Sequence, residues 1–371
     1  MNLEGQTIAV VGGGIGGMAA AAALAQLGAH VTVYEQAEHL TEVGAGLQIS
    51  ANGRKVLIAL GAVVAGRLDA AVLSTGTEFR DGAAGRYIAQ IEPPKAGPTW
   101  YMHRADVLAL LTTCAEKAGV TVKLGQSVAP GGVEADLIVA ADGMHSAWRA
   151  KIDGPIAPDF TGQVAWRALI PWDNRGGTAS AVLSMGHGAH VVSYPLRQGS
   201  LMNLVAVQER RDWLEDSWTQ IGDPSEFRTA FAQFGGVVGE MIGAVEHVNI
   251  WALHSRPVAK TWVRGAMVLL GDAAHPTLPF MAQGACLALE DAWVLRRALQ
   301  SQNNLKSALQ AYENARKTRA DSVVALAKGN AWRFHMPKPF AWGAQAVLAV
   351  GAHSLARRLE WVYGYDADRA L

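Results

Sequence analysis

Ile8-Ala9-Val10-Val11-Gly12-Gly13-Gly14-Ile15-Gly16-Gly17, running on into an Ala/Leu stretch from Met18 to Leu27, is the segment on which the fold turns. Four apolar residues suit a buried strand, and the Ala/Leu run suits a helix that Gly28 closes. His30-Val31-Thr32-Val33-Tyr34 reads as a second strand ending in Glu35. The pattern is strand, glycine turn, helix, strand, with Gly12, Gly14 and Gly17 at GxGxxG spacing. One glycine permits the tight turn, one lets backbone approach a pyrophosphate, and one lets helix and strand pack closely. The helix N-terminus, opening at Ile15, then offers free N–H groups and a positive dipole end to that anion. Glu35 stands 23 positions after Gly12, where a carboxylate can accept from both ribose hydroxyls of an adenosine. An acid at that place disfavours a 2′-phosphate, so the expected ligand is FAD or NAD and not NADP.

Further along, Ala266-Met267-Val268-Leu269-Leu270 reads as another buried strand. It leads into Gly271-Asp272-Ala273-Ala274-His275-Pro276, a loop carrying Pro279, Gln283 and Gly284, and a helix from Ala285 onward. Asp272 can accept from sugar or ribityl hydroxyls, or simply cap a turn. The helix beginning near Gly284 aims its positive end back at whatever the loop holds. Asp136 to Ala141 is one more strand, followed by Asp142-Gly143, a common turn signal.

Composition bounds the rest. The 371 residues amount to roughly two and a half domain lengths of about 150, so one large or two interlocked domains are expected. Charged residues are 17% of the chain, below the typical 25% or so, and half the residues are hydrophobic, which excludes wholesale disorder. The 32 basic and 32 acidic residues cancel, which removes any global pull toward nucleic acid or anionic membrane. Two cysteines, Cys114 and Cys286, are too few for a disulfide framework or a cysteine zinc site. Met1 to Thr7 does not read as a signal peptide, and Pro339 to Ala356 carries too many polar residues and glycines for a membrane span. The expectations are a cytoplasmic protein and a packed C-terminal helix.

Taken in order, four motifs resemble the single-component FAD-dependent aromatic hydroxylases. They are the glycine turn with Glu35, His103-Arg104-Ala105-Asp106, Asp142-Gly143 with Ser146 and Arg149, and Gly271-Asp272 with the downstream Glu290-Asp291-Ala292. This is the p-hydroxybenzoate hydroxylase-like class, and the salicylate and 6-hydroxynicotinate hydroxylases are the branch most similar. The resemblance runs from Ile8 to about Arg319. It implies an α/β fold: a Rossmann-like FAD-binding domain, an inserted antiparallel-sheet substrate domain and C-terminal helices. The expected boundaries are 1–72, 98–162 and 263–330 for the FAD domain, 73–97 and 163–262 for the substrate domain, and 331–371 for the C-terminal segment. It also implies that Gly12, Gly14, Ile15, Gly17, Glu35 and Gln36 hold the adenosine end of FAD. Arg104 would hold the phosphate or ribityl region, Asp142 would serve FAD and nicotinamide-cofactor binding, and Asp272 the ribityl chain. Gly284 and Ala285 would offer N–H groups near the flavin ring, with Pro279 on its active side. Two departures stand out: a short 120–136 segment, where the class usually carries an extra hairpin, and Cys286 in place of Asn, expected to be a small packed residue.

Between the FAD strands, 162–256 has a different texture. Ala189 to Pro195 and Leu201 to Val207 read as antiparallel strands, and Trp213 to Phe234 as helices carrying Trp218, Phe227, Phe231 and Phe234. His190 and Tyr194, four apart on one strand, face the same side. In the resembled class NAD(P)H reduces FAD, and O2 then forms a C4a-hydroperoxide that attacks an electron-rich ring. That chemistry needs a hydrogen-bond acceptor for a phenol and a dry site. His190 and Tyr194 are the expected catalytic pair, though a His and a Tyr on a strand also suit a satisfied core. Gln48 and Met281 are further pocket candidates; His275 and His145 are expected to pack and not to transfer protons, and no metal site is expected. The expected partners are a small aromatic substrate and O2, with the protein a monomer or homodimer. A halogenase is disfavoured because Ala168 stands where its second Trp would be. A flavin reductase or epoxidase, or a non-catalytic FAD-fold binding protein, stays open.

Overall fold

The computed structural model describes residues 1–40, 45–63, 71–173, 179–210, 220–337 and 339–371. The opening segment forms strand Thr7–Val11, helix Ile15–Ala25 and strand His30–Tyr34, with the two strands paired in parallel. Gly12 has φ +106, and a side chain there would collide with the Ala141 carbonyl; one on Gly17 would collide with the Gly12 carbonyl. These two glycines let the turn, the helix and the neighbouring strand close on one another. The helix is apolar on every side, and Met18 to Leu24 are all 0% exposed, because helices Arg104–Lys117 and Gly284–Ser301 cover it.

Among the described residues, three sheets are present. The first has the order Val263–Arg264, Met267–Leu269, Leu137–Ala140, Thr7–Val11, His30–Tyr34, Thr121–Lys123. It is parallel apart from the hairpin at its edge. The glycine turn and the Gly271-Asp272 turn therefore both leave the C-terminal ends of parallel strands, where open α/β sheets bind ligands. The second sheet has eight strands, including Asp159–Pro171, Ala189–Leu196, Leu201–Glu209 and Val248–Ser255 in antiparallel pairing, and Thr77–Asp81 with Tyr87–Ile91 at one edge. A small sheet pairs Gly46–Ile49 and Val72–Leu73 with Trp100–His103.

Sequence and structure differ in two places. Of the helices expected from Trp213 to Phe234, Trp213 and Trp218 lie outside the described residues. Ile221–Gly222 is instead an edge strand, and helices begin at Pro224–Ala230 and Gly236–Gly243. Phe227, Phe231 and Phe234 follow one another with ring centroids 5.1 and 5.8 Å apart and cover the outer face of the second sheet. The C-terminal helix, Phe340–Tyr363, buries only Val362. It lies against the edge strand Tyr87–Ile91 and leaves Val347 and Val350 exposed, so it is a surface layer and not a core element. Among the described residues no helix is long and apolar enough to cross a membrane.

A cluster of buried charges ties these layers together. Glu290 and Asp291 are 0% exposed in the middle of helix Gly284–Ser301, where carboxylates survive only when paired. Arg316, on helix Leu305–Phe334, meets both at 2.7 Å, and Arg319 meets Glu290 at 2.7 Å. Asp291 also accepts from the Gly271 N–H at 2.9 Å and contacts His275 Nε2 at 2.5 Å. His275 thus anchors the turn through an ion pair, a more specific role than the backbone packing expected of it. Burial alone would lower the His275 pKa, but the Asp291 charge and hydrogen bond raise it above its ordinary value. Burial alone would raise the Asp291 pKa, but His275 and Arg316 hold it low. The stability His275 contributes is complete below its ordinary pKa of about 6.5 and is lost as pH rises through its raised value. That of Asp291 is complete above its ordinary value of about 3.9 and is lost as pH falls through its lowered value.

Arg316→Met leaves two buried carboxylates short of a partner, so urea unfolding should show a loss of about 3–5 kcal/mol. Lys55→Met, which removes a half-exposed pair with Asp366, should cost under about 1 kcal/mol. Equal losses would show that the buried cluster does not hold the layers. His275→Gln should flatten the alkaline limb of the stability profile and also weaken the acid limb, because Asp291 loses one of the two charges that hold its pKa low.

Candidate active site

The parallel sheet and the eight-stranded sheet enclose a cavity of about 1610 Å³. Single-ligand pockets span about 300–1,000 Å³, so there is room for a large cofactor and a small second molecule. One end of the cavity is built from the motif turns. Gly14 and Ile15 at the first helix N-terminus line it, with Arg104, Asp272, Pro279, Gly284 and Ala285. A Cβ on Gly14 would meet no protein atom within 4 Å, so its backbone faces open space.

Asp272 lies deep inside the protein, and its accessible surface is cavity surface. Burial raises its pKa, while His275 and Arg104 oppose that rise. Arg104 opens helix Arg104–Lys117 and is buried at the cavity wall; burial and the nearby Arg167 lower its pKa to about 10, so it stays charged at neutral pH. The helix starting at Gly284 is 18 residues long and has no side-chain cap, which leaves its first N–H groups free for a ligand. Asp142 is placed differently. Its Oδ2 caps helix Ala147–Asp153 at the Ala147 N–H, 3.0 Å away, and its buried Oδ1 has no hydrogen-bond partner among the described residues. Glu35 accepts from the Gly13 N–H at 2.6 Å and the Ala37 N–H at 2.8 Å, bracing the glycine turn. Gln36 is exposed beside it, and neither lines the cavity.

A dinucleotide fits these features. The open Gly14 backbone and helix dipole suit a pyrophosphate, Arg104 a phosphate, and cavity-facing Asp272 a polyol. The uncapped Gly284 turn suits an electron-rich ring edge.

The other end of the cavity holds the residues expected to meet a substrate. His190 and Tyr194 both line it from strand Ala189–Leu196, with Val192 between them on the same side. Gln48 and Met281 line it as well, and Asn330 Nδ2 donates to the Met281 sulfur at 2.9 Å. His190 sits edge-on to Phe280 and Phe334, with centroids 5.4 and 5.2 Å away. Burial, then the neighbouring His335, holds its pKa well below the ordinary value, so the ring is neutral. Tyr194 packs 5.0 Å from Tyr101 and is raised by burial against the pull of Arg167, so it is a neutral phenol. Cys286 is buried beside Ser50, its thiol pushed up to about 11, mainly by burial.

The motifs did not point to Arg167. It stands on strand Asp159–Pro171, lines the cavity, and lies over the Trp251 ring at 4.8 Å. Its Nε has no hydrogen-bond partner, and no carboxylate among the described residues pairs with it. Alternation on the strand was the only signal that could have pointed to it. Phe280, Phe334 and His335 were likewise invisible, since the aromatic box forms from three distant segments.

Residues 103–327 match a family model described as an FAD binding domain, and 10–57 match one described as an NAD(P)-binding Rossmann-like domain. The chain is 34% identical to a 3-amino-4-hydroxybenzoate 2-monooxygenase of Streptomyces platensis, over 97% of this chain and 96% of the other. It is 32% identical to a 6-hydroxynicotinate 3-monooxygenase of Bordetella bronchiseptica, over 97% and 95%. A solved salicylate hydroxylase substrate complex shares the fold, with TM-score 0.81 and 24% identity over 99% of this chain and 97% of that one.

The glycines separate binding from folding. Gly14→Ala should leave apoprotein stability within about 0.5 kcal/mol, yet weaken FAD by about 1.4 kcal/mol or more, tenfold in Kd. Gly17→Ala should fail to fold stably, because the new methyl meets backbone. Denaturation of the apoprotein and FAD titration measure both, and a Gly14→Ala protein with undiminished FAD affinity would remove the pyrophosphate from that turn.

Proposed function

The chain belongs to the FAD-dependent aromatic monooxygenases, and we propose that its substrate is a small aromatic carboxylic acid bearing a ring hydroxyl, of the salicylate, hydroxybenzoate or hydroxynicotinate kind. One observation carries this reading: Arg167, a half-buried cation with no carboxylate partner among the described residues, lines the same cavity as neutral His190 and Tyr194. A guanidinium so placed favours an anion that fits its planar fork, and a carboxylate does. The three relatives named above act, by their names, on aromatic acids, which supports the same class.

When bound, FAD supplies the redox chemistry: it takes electrons from NAD(P)H and activates O2 for transfer to the ring. Arg104 and Asp272 would hold the cofactor's phosphate and polyol, Glu35 its ribose, and the Gly284–Ala285 N–H groups its ring edge. Ile15 would face it from the helix N-terminus, Gly12 and Gly17 would shape the turn behind it, Gln36 would flank Glu35, Asp142 would support its binding from the helix it caps, and Pro279 would wall the reacting side. Arg167 orients the acid by its carboxylate. His190 Nε2 takes the proton of the ring hydroxyl, because Nδ1 is engaged by His335. A phenolate pushes more electron density into the ring than a phenol does, so this proton transfer prepares the ring for attack. Tyr194 hydrogen-bonds the substrate, Phe280 and Phe334 keep water from the His190 ring, and Gln48 and Met281 complete the pocket. We assign 1–72, 98–162 and 263–330 to cofactor binding, 73–97 and 163–262 to the substrate, and 331–371 to a C-terminal cover. We place the enzyme in the cytoplasm as a monomer or homodimer.

The purified protein should be yellow, and a colourless protein that takes up no added FAD would end this reading. Across a panel of salicylate, hydroxybenzoates and 6-hydroxynicotinate, a substrate should raise NAD(P)H consumption and yield matching hydroxylated product. Arg167→Met should cost about 1.4–2.8 kcal/mol, roughly 10- to 100-fold in KM, for the acid. The corresponding phenol without its carboxylate should be unaffected; equal losses for both would show that Arg167 does not hold the carboxylate. His190→Ala should lower kcat by about 10²–10⁴ with FAD still bound.

A further inference from the structure

A row of three side chains leads from the cavity to the protein surface. His190 Nδ1 lies 2.7 Å from His335 Nε2, and His335 Nδ1 lies 3.3 Å from Glu209 Oε1. His190 is 2% exposed and the His335 side chain 1%, whereas the Glu209 side chain is 59% exposed. We infer that His335 and Glu209 are positioning residues that carry the proton released by the substrate's ring hydroxyl from His190 to solvent. The inference rests on the reading of His190 as the group that meets that hydroxyl.

A proton taken up inside a dry cavity must leave it, or the charge stays buried at high cost. The row meets that need with a fixed direction. Glu209, ionised, accepts from His335 Nδ1–H, which leaves His335 Nε2 as an acceptor. That nitrogen accepts from His190 Nδ1–H, which leaves His190 Nε2 bearing the lone pair that faces the ligand. An exposed carboxylate thus sets the tautomer of a buried base two residues away.

On substrate ionisation, the hydroxyl proton moves to His190 Nε2, the Nδ1 proton of His190 moves to His335 Nε2, and the Nδ1 proton of His335 moves to Glu209 and then to water. One O–H bond breaks at the substrate and one proton reaches solvent. When the hydroxylated ring loses its C–H proton and regains aromaticity, its oxygen is again an anion. The row run in reverse reprotonates it and restores both tautomers.

The other groups facing His335 are His187, in the turn before strand Ala189–Leu196, and the Gln163 amide, 3.4 Å from Nδ1. Burial, with His187, lowers the His335 pKa, and Glu209 opposes this, so His335 is neutral at rest and able to pass a proton without keeping it. Gly188 N–H donates to the His335 carbonyl at 3.3 Å, which holds the end of helix Leu305–Phe334 against the turn.

The test uses FAD-loaded enzyme and whichever of salicylate, 4-hydroxybenzoate and 6-hydroxynicotinate the wild type hydroxylates. Ionisation of the bound probe is followed by its ultraviolet difference spectrum after rapid mixing, across pH. His335→Gln should keep FAD and bind the probe within about twofold, yet ionise it about tenfold or more slowly below the probe's own pKa. Above that pKa, where the probe arrives ionised, the variant should match the wild type, and imidazole should restore part of the rate in His335→Ala. Glu209→Gln, altered only at the surface, should show a smaller loss with the same pH dependence, and it decides the matter if His335 variants fail to fold. Wild-type ionisation in Glu209→Gln and His335→Gln, or a loss equal at every pH, overturns the row alone. A wild type that hydroxylates none of the three acids overturns the functional reading, and the row with it.

Discussion

Two carboxylates buried in the middle of one helix constrain everything around them. Glu290 and Asp291 must find cations, and these come from Arg316 and Arg319 on the next helix and from His275 in the turn before. Asp291 also holds the Gly271 amide, the first residue of the turn that presents Asp272. The helix whose N-terminus faces the cavity and the turn that supplies its acid are therefore clamped by one set of charges. Removing a partner strands a charge in the interior, and that energetic penalty makes the geometry of the cofactor end rigid.

The other end of the cavity is held by weaker and more adaptable contacts. Aromatic rings from the Pro279–Met281 turn, from helix Leu305–Phe334 and from the His190 strand meet there edge to face. Such contacts exclude water while tolerating changes of shape, which suits a fold whose relatives act on different aromatic acids. Polar groups are set into this lining, Arg167, His190 and Tyr194 among them. These three differ in charge and in proton affinity, and on the proposed reading those differences would order a ligand, the acid group at one side and the ring hydroxyl at the other.

Much of the cofactor end was legible because each of its requirements falls within a short segment. Gly14 faces open space at a helix N-terminus, and Gly17 must be bare for the turn to close on its helix; both features are local. The Glu290-Asp291-Ala292 sequence was readable as a signature, but its reason was not, since Arg316 and Arg319 lie more than twenty residues away. His190 and Tyr194 were reachable by strand alternation. Arg167 obeys the same alternation, yet nothing in the sequence separates it from an arginine on a solvated face. The C-terminal helix was expected to be packed because it is apolar, but apolarity does not say which layer a helix joins.

Residue order by itself determined the parallel βαβ core, the kind of cofactor and the class of chemistry, because backbone turns and helix ends are built from neighbours in the chain. Only the tertiary structure decided that Arg167 has no carboxylate partner among the described residues, which rings enclose His190, and that His335 and Glu209 stand behind it. Those contacts join strands and helices up to 145 residues apart. Pairing at that separation depends on how layers pack, and no local pattern records it.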